Sequence, residues 1–181
     1  MALDRQLSRN FWLREFPGWE RASEEDAQAA AETVARVLQP VRTALGVPVR
    51  VTSWMWWSNG TARTGAHSQP GTIDFVADDG LTFDAFEWAN INLVPAGYIG
   101  RLIYEPARSA AEGIRQGEHV HMAPRAAMVE VFGDPAIQVL RETSEGRYTM
   151  YRVAAAWTAG AVALVAAFVF LLARGPGRAT T

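Results

Sequence analysis

The stretch "TIDFVADDGLTFDAFEWANINLVPAGYIGRLIYE", residues 72–105, decides the fold class. It opens with a short apolar run, "TIDFVA" (72–77), that reads as a strand. "DDG" follows as a turn. "LTFDAFEWANI" (81–91) has helical character, with Thr82 as the expected cap. "IGRLIYE" (99–105) returns to strand. Strand, turn, helix and strand in this order exclude an all-helical or all-β chain.

The same alternation extends outward. Ser23, followed by Glu24, Glu25 and Asp26, is a helix start: an N-cap with acids in the first turn. Ala30, Val34, Val37, Leu38, Val41 and Leu45 recur at helical spacing, and Gly46 ends the pattern. Pro40 is expected to kink or split that helix. "VPVRVTSW" (47–54) is a strand, and "MWWSNGTARTGAHSQPG" (55–71) is a loop rich in turn residues. "EHVHM" (118–122) is a short strand. Residues 126–132 are expected to add a strand and 134–143 a helix. The class is α+β: a small, mostly antiparallel sheet with flanking helices and a C-terminal transmembrane helix. Residues 1–22 are expected as an irregular lead-in that docks Phe11, Trp12, Phe16 and Trp19 on the core. Residues 23–143 form the main domain, 144–152 a linker, 153–173 the membrane helix and 174–181 a short polar tail.

The membrane expectation rests on "VAAAWTAGAVALVAAFVFLLA". This run from Val153 to Ala173 contains no charged residue. As a helix it spans roughly 30 Å, the thickness of a bilayer's hydrocarbon. Arg152 and Arg174 bracket it, and Tyr148, Tyr151 and Trp157 sit near one end as interfacial aromatics do. The chain is therefore expected to be a single-pass membrane protein with a C-terminal anchor. The opening residues have no apolar secretory core, which by default leaves the soluble part in the cytoplasm; Arg residues are similar in number near both ends of the span, so the side of the soluble part stays open.

The full chain has 181 residues and a net charge of −2, with no reason to expect nucleic acid as a partner. All 17 basic residues are Arg, and there is no Cys. Disulfides and thiolate metal sites are excluded, so any metal must be held by His and carboxylates. The chain has only three histidines, and they fall in two segments. His67 lies in "TGAHSQPGTIDF" (64–75), seven residues before Asp74. His119 and His121 lie in "EHVHM", where strand alternation turns both to one face. Neutral imidazoles with one carboxylate suit zinc, whose catalytic sites keep three protein ligands and an open position.

Several motifs in order resemble the peptidoglycan-cleaving zinc peptidases. These are the D-alanyl-D-alanine carboxypeptidases and L-alanyl-D-glutamate endopeptidases, in their phage endolysin-like branch. "LSRNFWLREF" resembles that branch's opening "L-S-x-x-F-x-x-x-E-F". "LQPVRTALGVPVRVTS" resembles "L-x-P-x-R-x-x-x-G-x-P-x-x-x-T-S", and "GRLIYE" resembles the strand before "W-V-H-V-S". The family's "S-x-H-x-x-G-x-A-x-D" supplies two ligands at the separation of His67 and Asp74. Gly71 stands one place later than the family glycine, and Gly65 replaces the Ser. The similarity covers roughly residues 7–132.

The resemblance implies a zinc peptidase that hydrolyses peptide bonds of peptidoglycan stem peptides. His67, Asp74 and His119 would be the metal ligands. Glu105 would be the general base, because it ends the strand beside His119. His121 would hydrogen-bond the developing oxyanion. The exchanged arrangement fits the same spacing: His121 as ligand, with His119 behind it. Two departures stand out. The family's "S-G-Y-R" becomes Ser53-Trp54-Met55-Trp56, so Arg63 in the next loop is the substitute for the substrate-holding Arg. The acid three residues before the last His becomes Gln116. Trp54, Trp56 and Trp57 precede His67 and either wall the substrate groove, Trp56 above all, or pack on the core. The competing expectation is a catalytically inactive peptidase-fold protein with a structural or cell-wall-binding role.

Overall fold

The computed structural model describes residues 2–54, 66–108, 117–133, 136–142 and 147–150. A hairpin of β1 (Gln6–Ser8) and β2 (Phe11–Trp12) opens the chain. Two short 3-10 turns follow. The expected lead-in is thus structured, and it buries Phe11, Leu13 and Phe16 in the main core.

Helix α1 (Glu24–Thr33) starts where expected. The Ser23 hydroxyl accepts from the Asp26 amide, and the Asp26 carboxylate accepts from the Ser23 amide. This reciprocal pair satisfies two orphan donors. The helix does not run straight on. Residues Val34–Leu38 form a wider π turn, and α2 (Gln39–Leu45) resumes with Pro40 near its start. Helical dihedrals continue through Leu38 and Gln39, so the wider π turn just before Pro40 is what takes up its missing amide. Gly46, at φ 71°, ends α2 in the left-handed region.

Four further strands follow: β3 (Val49–Trp54), β4 (Ile73–Ala77), β5 (Ile99–Glu105) and β6 (His119–Pro124). Between β4 and β5 lies α3 (Thr82–Asn92). Thr82 is its first residue rather than its cap. Its hydroxyl bonds both backbone groups of Ala77 and ties the helix to the end of β4.

The C-terminal expectations are corrected. Residues Arg125–Phe132 form helix α4, not a strand. Val129 and Val131 suggested alternation. Ala126, Ala127 and Met128 are strong helix formers, however, and Gly133 ends the helix at φ 63°. Residues Gln138–Glu142 form strand β7, not a helix. Their helix-prone side chains are overridden by pairing along β5. The stretch expected as a linker, 144–152, contains strand β8 (Tyr148–Met150).

The six-stranded sheet has the order β3-β4-β6-β5-β7-β8. All its pairings are antiparallel except β5 with β7. One face carries Val49, Val51, Phe75, Val120, Met122, Leu102, Tyr104 and Val139. These join Val34, Leu38, Val41, Ala85, Phe86 and Ala89 of the helical segments in one core. The α+β class holds, in two layers. The opposite face is free for polar work. A bulge in β3 between Val51 and Ser53 matters here. It returns Trp54 to the core face and sets Ser53 beside Asp74 on the other.

Among the described residues no helix is long and apolar enough to cross a membrane, and residues 153–173 lie outside them.

Gly100 is where β5 meets α4. A Cβ there would lie 2.7 Å from the Arg125 Cα and 2.8 Å from the Met128 Cγ. Backbone cannot retreat as a flexible side chain can. Gly100→Ala is therefore expected to cost about 2 kcal/mol of stability, as overpacked sites do. Urea unfolding measures it, and an unchanged midpoint would contradict this packing.

Candidate metal centre

The polar face of the sheet is organised in cross-strand rows. Asp74 on β4 pairs directly with His121 on β6, and His121 pairs with Ile103 on β5. One step along, His119 on β6 pairs with Glu105 on β5. Alternation puts all of these side chains on one face. His67 reaches the same face from a 3-10 turn, Ala66–Ser68.

His67, Asp74 and His121 converge. Their ligand atoms lie within 4.8 Å of one another, so the three form a group that can hold a metal ion. His121 Nδ1 donates to Asp74 Oδ1 at 2.8 Å, and His67 Nε2 lies 3.3 Å from the same oxygen. The two imidazoles meet edge to face, with centroids 4.8 Å apart. Asp74 and His121 are buried and His67 is half-buried. Burial pushes the Asp74 carboxyl up. Hydrogen bonds from His121 and His67, with their charge, outweigh it and hold the group well below the usual carboxylate range. Asp74 is thus an anion presented to two nitrogen donors. Two imidazoles and one carboxylate fit the three-ligand pattern of an open zinc site.

His119, expected as the third ligand, stands apart from this trio. Its Nδ1 donates to the Gly117 carbonyl at 2.9 Å, which turns Nε2 to Glu105 Oε2 at 3.4 Å. The structure therefore has the exchanged arrangement, with His121 in the cluster and His119 beside it. The cause is register. Asp74 is the direct cross-strand partner of His121, whereas His119 sits one row further on, opposite Glu105. Glu105, as expected, is buried on the site face.

The exchange also moves the position of the family's acid. Three residues before His121 stands Glu118 rather than Gln116. Glu118 is engaged elsewhere, because the Tyr104 hydroxyl donates to it. Burial, reinforced by Glu118, pushes the Tyr104 phenol up to about 12. Tyr104 lies on the core side of β5, so Glu118 is drawn away from the row that holds Glu105.

Trp54 packs in the core, fully buried, and its indole N–H donates to the Pro70 carbonyl. Arg63, Trp56 and Trp57 lie outside the described residues. Two members of the face were not foreseen. The Tyr148 hydroxyl on β8 donates to Glu105 Oε1 at 3.3 Å. Glu142 on β7 is buried in an ion pair with Arg108. Glu142 carried no sequence signal, and Tyr148 was read as an interfacial aromatic beside the expected span, since both lie in segments whose strand character comes from tertiary pairing. No family model matches the chain, and neither does any curated protein or solved structure.

Proposed function

We propose that the protein is a zinc-dependent peptidase that hydrolyses peptide bonds of peptidoglycan stem peptides from a membrane-anchored position. The observation that carries this reading is the cluster of His67, Asp74 and His121 with the Glu105–His119 pair one row away on the same face. The motif resemblance over residues 7–132 narrows the substrate to cell-wall peptides.

His67, Asp74 and His121 would hold the ion. Zinc bound there supplies a Lewis acid and an acidified water. Glu105 takes the proton from the attacking water and passes it to the leaving amine. His119, whose ring is fixed by the Gly117 carbonyl, presents Nε2 on the same face. That nitrogen meets Glu105 Oε2, so His119 is placed to hold the Glu105 carboxylate in position. The apolar side chain of Ile103 lies between this row and Arg101, and gives a peptide a floor to lie on.

A second reading is favoured by one observation: Glu118, the acid at the family's usual position, is tied to Tyr104. On that reading the chain binds metal without cleaving and serves the cell wall structurally.

The test uses the full chain in detergent. One zinc per chain, hydrolysis of stem peptides, and a loss of roughly 100-fold or more in kcat for Glu105→Gln with zinc retained are expected. Zinc without cleavage supports the second reading. A chain that takes up no zinc overturns both.

A further inference from the structure

The far end of the sheet bears on the site in a way that the ligand cluster alone does not reveal. Row by row, the polar face runs from His119 on β6 to Glu105 on β5, then to Glu142 on β7 and Tyr148 on β8. Glu142 and Tyr148 are direct cross-strand partners. Arg108, which follows β5 closely in sequence, pairs with Glu142 and ties the end of β5 to β7. Glu142 is thereby spoken for by a cation. Among its contacts, Glu105 meets His119 Nε2 at Oε2 and accepts from the Tyr148 hydroxyl at Oε1.

A carboxylate has two oxygens and one soft terminal torsion. Gripped at one oxygen it swings; gripped at both it points in one direction. We propose that Tyr148, on the last strand of the sheet, is a positioning residue that fixes the Glu105 carboxylate against His119. The inference rests on the reading of Glu105 as the general base. In this role Tyr148 acts through Glu105, whose carboxylate accepts from its hydroxyl. Tyr148 is half-exposed, and its phenol is pushed up by partial burial and then by the neighbouring Glu105 carboxylate. The placement has a further implication. Only Tyr151 and Arg152 separate β8 from the uncharged run that begins at Val153. The strand that positions the base is therefore the strand that leads into the expected anchor.

The experiment compares the full chain in detergent with Tyr148→Phe, Glu105→Gln and the double variant. The first measurement needs no activity. Alkaline ultraviolet titration, with the Tyr148→Phe curve subtracted, isolates the ionisation of Tyr148. A nearby anion that accepts from the phenol keeps it protonated, so Glu105→Gln is expected to move that ionisation to lower pH. The second measurement is stem-peptide hydrolysis by the zinc-loaded chain. Tyr148→Phe should lower kcat about tenfold with KM unchanged, a part of what a positioned base contributes. In the Glu105→Gln background the same change should cost nothing more. An ionisation of Tyr148 that is the same with Glu105 and with Gln overturns the contact. An equal kcat loss in both backgrounds overturns the positioning role. If no chain cleaves, the peptidase reading fails by itself, and the titration still decides whether Tyr148 holds Glu105.

Discussion

Asp74→Ala is expected to abolish metal binding at physiological metal concentrations. Asp74 is the only carboxylate in the trio, and its Oδ1 is the point to which both imidazoles turn. Without it, two imidazoles remain, and the trio has no anion to offset a dication's charge. Loss of a partner that merely orients a ligand weakens metal binding by roughly 10- to 100-fold, and loss of the ligand itself should exceed that. Zinc affinity against a competing chelator measures the effect. Asp74→Asn is the matched control, since it keeps the shape and one acceptor oxygen but no charge. It should unfold near the wild-type midpoint without metal and still bind zinc far more weakly. Undiminished zinc binding in both variants would place the metal elsewhere.

Trp54→Ala is expected to give the largest loss of stability of any single change near the site. The indole is fully buried and meets Phe16 edge to face at 5.1 Å. Truncation of a buried aromatic to Ala costs about 3–5 kcal/mol through lost transfer energy and the cavity left behind. Trp54 is also a tether. Its N–H holds the Pro70 carbonyl, three residues beyond His67, so the turn that delivers His67 is pinned to the core. Trp54→Phe keeps most of the packing and removes that donor from a part-buried contact, at about 0.5–1.5 kcal/mol. Both variants should weaken zinc binding, and Trp54→Phe should do so out of proportion to its stability loss. Urea unfolding with a zinc titration separates the two effects. Equal zinc affinity in Trp54→Phe and wild type would show that the tether does not matter.

The first half of the fold was legible because its local signals agree with its tertiary environment. Ser23 and its acids cap α1, and the β-branched and aromatic runs at 49–54, 73–77 and 99–105 all become strands. The last third was not legible. Gln138–Glu142 is a strand only because β5 offers its edge, and Arg125–Phe132 is a helix although its valines alternate. No local pattern encodes an available edge.

The site shows the same division. His67, Asp74 and the shared face of His119 and His121 follow from spacing and alternation. The choice between those two histidines depends on which one stands opposite Asp74, and that is a matter of pairing register across strands separated in sequence by α3 and β5. Tyr148 was invisible as a member of this face for a further reason: it lies in a polar stretch whose only structural cue is the neighbour it finds.

The sheet order has a consequence in time. Synthesis delivers β3, β4 and α3 early, but the row that carries Glu105 is completed by β7 and β8, the last strands to emerge among the described residues. The parallel β5–β7 pairing joins segments separated by β6 and α4, a non-local contact of the kind that forms late. A nascent chain can hold His67 and Asp74 together long before Tyr148 has left the ribosome. The row that holds Glu105 is thus the last part of this face to be assembled among the described residues.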